Sequence, residues 1–314
     1  MSDINCPSCG NKEINTEDFF RRYVSPINNE NYKAYRCKKC DLEFWSPRKL
    51  EKTLYEEDVF NGYESSHDNI AGATEKDGWF GPDKWFKKYV PLNSGKLLDV
   101  GCSNGSFLFG IIGLGLDVYG IDFDRKSIDA GKKRGLQNLF PMALDEFTEA
   151  NISRGLKFDA ITFFDVLEHQ SDPSGFIKNV KSVLRQGGSI VGTVPNRDRM
   201  FVSLYRAGSL IDYPPHHFTW WNKASLRNFL ERNGFGEVSF FHAEPRSLKY
   251  LVCGGFYKAV STATLALLGS KRTGKKSGLA AFVMSVILFP LGVLSFILLR
   301  LRPEKIFFRA WAVS

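Results

Sequence analysis

Residues 96–107 read KLLDVGCSNGSF. A short apolar run ends in Asp99 and Val100, and a loop of small residues follows, Gly101-Cys102-Ser103-Asn104-Gly105. A strand that opens this way into a helix begins a nucleotide-binding sheet, because glycines let backbone amides approach a ligand at a helix N-terminus. A dinucleotide loop wants G-x-G-x-x-G. Here Ser103 lies between Gly101 and Gly105, and Asp99 would repel a pyrophosphate. The same carboxylate would welcome the cationic end of an amino acid.

Downstream, short apolar runs alternate with helical stretches, the pattern of a parallel sheet covered on both faces. Strands are expected at 96–101, 116–122, 139–142, 158–164 and 189–194, and helices at 104–113, 125–134 and 173–184. Asp122 ends the second strand 23 residues after Asp99, where an acid can accept both ribose hydroxyls. An amphipathic helix is read at 222–235, then a strand from Gly236.

LLDVGCSNGSF (97–107), VYGIDFD (118–124), FDAITFFDVLEHQSDP (158–173) and GGSIVGTVPN (187–196) together resemble class I S-adenosylmethionine-dependent methyltransferases. The D-V-L-E-H stretch places the resemblance in a group that includes ubiquinone-pathway O-methyltransferases and sugar methyltransferases. It covers about residues 96–240. It implies a Rossmann-like, doubly wound α/β sheet of about seven strands with an antiparallel last strand, for which KIFFRAWAV (305–313) is the candidate. It also implies that Asp99, Gly101, Cys102, Ser103 and Gly105 line the methionine end of the cofactor. Asp122 would bind the ribose, Phe123 flank the adenine, and Asp145 or Glu146 meet the adenine amino group. Asp165 would face the methyl group and the acceptor. For Asp145 and Glu146, a solvated helix start is the competing reading.

Methyl transfer from a sulfonium is an in-line displacement, so alignment and a dry site do most of the work. An oxygen acceptor must also lose a proton. Asp165, Glu168 and His169 cluster after the fourth strand, and IDYPPHHFTWW (211–221) presents His216 and His217 behind two prolines. Three readings stay open. One of these histidines is a general base; or Glu168, His169 and a loop histidine hold a divalent metal, as in the similar small-RNA 2′-O-methyltransferases; or Glu168 and His169 are structural.

Cys6-Pro-Ser-Cys9 and Cys37-Lys-Lys-Cys40 are separated by 27 residues. Each C-x-x-C puts two thiolates on one turn, and two turns complete a tetrahedral zinc site. Residues 1–50 therefore read as a zinc ribbon with structural zinc on Cys6, Cys9, Cys37 and Cys40. Their nine Lys+Arg against seven acids, a net +2, argue for a structural cap, and no nucleic-acid partner is expected. Residues 51–95, rich in aromatics, read as a linker or lid with a helix at 84–90, and FNGYESS (60–66) resembles the linker of sugar C-methyltransferases that begin with a cysteine module.

The chain carries +8, yet residues 246–314 hold eleven Lys+Arg and one acid, so residues 1–245 sum to −2. The basic charge belongs to the tail. Two apolar runs, 250–269 and 279–299, flank KRTGKKSG (271–278). Two spans would put that basic turn outside, against the positive-inside rule. A hairpin in one leaflet, inserted at 246–304 between the methyltransferase domain (96–245) and the last strand, satisfies both charge and topology. A two-pass transmembrane hairpin and an oligomer interface are the alternatives, and the oligomeric state is left open. Paired C-x-x-C motifs and no export signal indicate the cytoplasm, with the tail at the inner face of the membrane. The expected activity is methylation of an oxygen or carbon on a small-molecule, saccharide or lipid-linked acceptor. The competing class is a non-catalytic cofactor-binding or ribbon interaction protein.

Overall fold

The computed structural model describes residues 4–49, 81–153, 155–200, 202–208, 210–241 and 303–313. Most of the 51–95 linker and nearly all of the 246–304 insertion, with both apolar runs, lie outside the described residues. Among the described residues no helix is long and apolar enough to cross a membrane.

The N-terminal segment forms β1 (Arg21–Val24), β2 (Asn31–Arg36) and β3 (Glu43–Ser46), each antiparallel to its neighbour. Helix α1 (Pro82–Tyr89) starts on a proline, whose missing N–H costs nothing in a first turn, and ends with Lys87 and Lys88 at its negative pole. Its Trp85 and Phe86 are fully buried, so these two linker aromatics are core. Each contributes about 2–3 kcal/mol by leaving water.

The large sheet contains β4 (Gly95–Val100), β5 (Leu116–Asp122), β6 (Leu139–Pro141), β7 (Phe158–Phe164) and β8 (Leu184–Pro195), all parallel. The second and fourth expected strands match to the residue. The fifth is longer than expected, because Leu184 to Gly188 extend its start and Pro195 its end. Helices α2 (Ser106–Ile111), α3 (Arg125–Lys133), α4 (Leu144–Asn151), α5 (Pro173–Val183) and α6 (Val202–Gly208) lie between or after these strands. Helix α2 is shorter than expected because Gly105, at φ +71°, belongs to the loop, and the chain leaves the helix through a 3-10 turn at Ile112–Leu114. Asp124 caps α3 through the Lys126 N–H.

Strand β9 (Thr219–Trp220) leaves the large sheet altogether and pairs antiparallel with β3, completing a four-stranded sheet, β1-β2-β3-β9. Helix α7 (Lys223–Arg232) follows, capped reciprocally by Asn222 and Ser225. It is shorter than expected because Phe235 already belongs to β10 (Phe235–Phe241). Strand β11 (Lys305–Ala312) inserts antiparallel between β10 and β8. The seven-stranded order is β10-β11-β8-β7-β4-β5-β6, a Rossmann-like doubly wound α/β sheet with its last strand reversed, as expected. The strand order reverses between the parallel β4 and β7, and open sheets bind ligands at the carboxyl ends of strands at such a switch point.

Candidate functional site

Two half-sites meet at that switch point. The first is the loop after β4. The amides of Gly101 and Cys102 both donate to the Ile121 carbonyl, at 2.9 and 3.0 Å, which folds the loop back over β5. Gly101 takes φ +74°, and a Cβ there would stand 2.7 Å from Val166 Cγ2. The glycine thus keeps open a cradle that any other residue would close.

Two carboxylates flank the cradle. Asp99 is 3% exposed and accepts from Thr162 Oγ1 at 2.6 Å. Burial pushes its carboxyl up to about 8, with the charge of Asp122 adding to the rise. Asp122 accepts from the amides of Ser103 and Asp124, both at 2.9 Å, yet burial still raises its pKa. A pair of acids so placed invites a cation at Asp99 and hydroxyl donors at Asp122. Phe123, half-buried, follows Asp122. Asp145 and Glu146 are exposed in the first turn of α4; Glu146 accepts from the Ala143 amide and Asp145 from the Glu146 amide. Both carboxylates thus serve the helix start.

The second half-site lies beyond β7. Asp165 sits at φ +55°, a strained conformation for a side-chain-bearing residue, held by its amide on Thr193 O and Oγ1 and by Thr193 Oγ1 donating back at 3.0 Å. Lys305, from β11, pairs with its carboxylate. Burial alone would raise the Asp165 pKa, but the Lys305 ammonium outweighs it and the net shift is down. The 3-10 turn Leu167–His169 follows. Glu168 is 1% exposed, and among the described residues neither carboxylate oxygen has a hydrogen-bond partner. Burial, then the negative charge of Asp165, raises its pKa far above the usual range.

The structure brings the three expected histidines together. One ring nitrogen of each of His169, His216 and His217 lies within 4.8 Å of those of the other two. Each Nδ1 faces an oxygen: His169 the His216 carbonyl at 2.7 Å, His216 the Ile211 carbonyl at 2.8 Å, and His217 the Asp212 carboxylate at 3.3 Å. A carbonyl or carboxylate cannot donate, so each Nδ1 carries the proton and each Nε2 turns out a lone pair. The Nε2 atoms of His169 and His217 stand 3.9 and 4.0 Å from Glu168 Oε1. Burial pushes the three imidazoles down, His169 and His216 to about 3 and His217 to about 4, so all are neutral near pH 7.

Some residues here carried no readable signal. Asp212, 1% exposed, accepts from Arg199 Nη2 at 3.0 Å and Arg206 Nε at 2.5 Å while it holds His217. It stood in the quoted IDYPPHH stretch without a role. Lys305 is 140 residues from Asp165, across the insertion, and nothing local marks it.

The four ribbon cysteines also converge. Cys6 and Cys40, and Cys9 and Cys37, are 3.5 Å apart at sulfur, and all four sulfurs lie within 4.8 Å of one another. The edge of a tetrahedron with 2.3 Å zinc–sulfur bonds is about 3.8 Å, so the donor set fits zinc.

Comparison with known proteins places this geometry. A family model described as a methyltransferase domain matches residues 56–239. The ubiquinone biosynthesis O-methyltransferase of Paraburkholderia phymatum is 26% identical over 117 residues, covering 37% of this chain and 50% of that protein. The enzyme of the same name from Coxiella burnetii is 28% identical over 116 residues, with the same coverage. The chain spans about half the length of these curated relatives. Among solved structures, a phospholethanolamine N-methyltransferase of Haemonchus contortus, in complex with phosphomonomethylethanolamine and S-adenosylhomocysteine, superposes with a TM-score of 0.52 at 15% identity, over 94% of this chain and 71% of that one. The cyclase SpnF superposes at 0.51 with 17% identity, over 85% and 98%. These likenesses concern the fold, and a cyclase among them shows that the fold alone does not fix the reaction.

Proposed function

Because the chain belongs to the methyltransferase-domain family and has the class I S-adenosylmethionine-dependent fold, we propose that it methylates an oxygen of a small amphiphilic acceptor, such as a lipid-linked saccharide or a prenylated ring. One observation carries the reading: a cofactor cradle with two acids faces a buried carboxylate–imidazole cluster in which three neutral imidazoles keep an Nε2 lone pair. Asp99 would take the cofactor's ammonium, Gly101, Cys102, Ser103 and Gly105 its methionyl arm, Asp122 the ribose and Phe123 the adenine face. The acceptor oxygen would lie between Asp165 and the histidines. The cofactor, when bound, would supply an electrophilic methyl group on sulfur, and these residues would hold the acceptor oxygen in line with it. The hydroxyl proton passes to an imidazole Nε2, and the Asp212–His217 contact supports the cation formed there.

Zinc on Cys6, Cys9, Cys37 and Cys40 would hold the ribbon together. A second reading of the histidines is favoured by their tautomers. Three Nδ1–H groups fixed on oxygens, with the Nε2 lone pairs of His169 and His217 beside Glu168, are the outer-shell pattern of metal-bound imidazoles. A divalent ion there would polarise the acceptor hydroxyl.

Both stems of the insertion support an acceptor drawn from a membrane. Strand β10 ends at Phe241 opposite Phe307, and β11 begins at Lys305 opposite Pro195, the last residue of β8. The chain therefore leaves and rejoins the sheet at the edge that carries Asp165. A membrane surface bound by the insertion would face the acceptor side.

The test is a calorimetric titration with S-adenosylhomocysteine, followed by transfer from labelled S-adenosylmethionine to membrane lipid extracts. Binding and label in an alkali-stable ether are expected. No binding would leave a non-catalytic interaction protein as the reading. Metal analysis should return one ion per chain if a histidine is the base, and two if they hold an ion.

A further inference from the structure

The histidine loop is tied to the cysteine cluster through one residue. Asp41 follows Cys40, takes φ +62°, and donates its amide to the Cys37 carbonyl at 2.8 Å. That turn places the Cys37 and Cys40 sulfurs, and it also aims Asp41. The Asp41 carboxylate accepts from Arg197 Nη2 at 2.6 Å and from Asn222 Nδ2 at 2.9 Å, and its carbonyl accepts from Arg197 Nη1 at 2.5 Å. Arg197 and Asn222 are the two ends of the segment that carries Asp212, His216 and His217. Arg197 also donates its amide to the Trp221 carbonyl at 2.7 Å, closing the segment on itself. A single side chain of the knuckle therefore clamps both stems of the loop.

The clamp continues into backbone. The Trp45 amide donates to the Phe218 carbonyl at 2.9 Å, and β3 pairs with β9 at Glu43 with Trp220 and Phe44 with Thr219. On its other side, the Phe218 amide donates to the Glu168 carbonyl at 2.8 Å. Phe218 thus links the ribbon to the turn that carries Glu168 and His169. Behind it, Trp45, Tyr213, Phe218 and Trp220 form one buried aromatic cluster drawn from ribbon and loop together. None of these contacts reaches Asp99, Gly101 or Asp122.

We propose that Asp41 and Arg197 are positioning residues through which the metal-bound knuckle sets the histidine half of the site and leaves the cofactor half alone. The inference rests on the reading above for zinc in the cysteine cluster and for the role of the histidines, but not for the mechanical link. Arg197 is 6% exposed and its charge is balanced by Asp41, Glu43 and Asp198, so the link is buried at its arginine end, part-exposed at Asp41, and directional. When the ion leaves, the Cys37–Cys40 turn is no longer fixed, Asp41 swings off Arg197 and Asn222, and both stems loosen together.

Amide hydrogen exchange on the full chain tests this, with zinc removed by a chelator and then restored. Zinc removal should speed exchange at 216–222 and at 167–169 along with 31–46, by tenfold or more, while β4, β5 and β7 keep their protection. Zinc return should reverse it. Asp41→Asn and Arg197→Met should produce the same pattern at 216–222 with zinc content unchanged, and Arg197→Lys should restore part of it. Affinity for S-adenosylhomocysteine should change less than twofold in each. Exchange that rises only within residues 4–49 would overturn the inference, since the ribbon would then move without the loop. Protection lost evenly across both sheets would overturn it too, because the knuckle would then hold the whole fold. Failure of the wild type to bind S-adenosylhomocysteine would sink the methyl-transfer reading while leaving the exchange result to stand or fall by itself.

Discussion

Asp99 offers a sharp prediction: if it holds the cofactor's ammonium, its burial should make cofactor binding a proton-releasing event. Burial, at 3% exposure, raises the carboxyl to about 8 against the downward pull of the Thr162 hydrogen bond, and the Asp122 charge adds to the rise. At pH 7 it is therefore about nine-tenths protonated. A cofactor ammonium at about 4 Å interacts with the carboxylate by about 4 kcal/mol at an effective dielectric of 20, which lowers the pKa by roughly three units, to about 5. Binding at pH 7 should then release about 0.9 proton. Ionising the acid at that pH costs about 1.4 kcal/mol, leaving a net of about 2–3 kcal/mol from the charge pair. Asp99→Asn keeps the shape and loses the charge, so it should weaken S-adenosylhomocysteine roughly a hundredfold. Affinity of the wild type should rise about tenfold per pH unit between 6 and 8 and then level.

The same shift fixes the sign of a stability effect. The folded carboxyl holds its proton above the unfolded value of about 4, so its contribution is fully present below about pH 4 and is lost as pH rises to about 8. The span is on the order of 5 kcal/mol for the cofactor-free protein, and bound cofactor should remove most of it. Calorimetry in buffers of different ionisation enthalpy reads the proton count directly. If wild type and Asp99→Asn release the same number of protons at pH 7, Asp99 is not the cofactor's ammonium partner.

Three further outcomes can be checked. Cys37→Ser with Cys40→Ser should lose one zinc per chain by metal analysis; unchanged zinc content would move the ion to the histidines. Asp212→Asn leaves Arg199 and Arg206 buried without their carboxylate and should cost about 3–5 kcal/mol in denaturant unfolding. Burial would raise the Asp212 pKa, but His217, Arg199 and Arg206 outweigh it and hold it low, so this stability is present above about pH 4 and fades on acidification. Changing Lys271, Arg272, Lys275 and Lys276 to serine should abolish preference for anionic vesicles in flotation, at about 1 kcal/mol per charge, while cofactor binding is kept; equal flotation by both proteins would remove the basic turn from the account.

What could be read in the sequence and what could not divide along the site itself. The cofactor half is local. Strand β5 was legible to the residue because Leu116, Val118, Tyr119 and Ile121 make LDVYGID a short, largely apolar run that closes on an acid, and the loop from Gly101 to Gly105 is set by two glycines at positive φ. Every group in that half lies between Asp99 and Asp124, apart from Thr162 on the neighbouring strand. The acceptor half is assembled from Asp41, residues 165–169, the segment from Arg197 to Asn222, and Lys305. Periodicity says nothing about two-residue β9, which exists because β3 offers an unpaired edge to it. Nor does it mark Asp212, whose place depends on two arginines six and thirteen residues upstream. Lys305 reaches Asp165 only through the register of an antiparallel strand that follows the insertion. A nucleotide cradle can thus be recognised from one contiguous stretch, whereas the proposed acceptor half rests on contacts that exist only once the ribbon, the loop and the last strand have met. The acceptor's chemistry must therefore be sought in variants of Asp41, Arg197 and Lys305 as much as in those of the histidines.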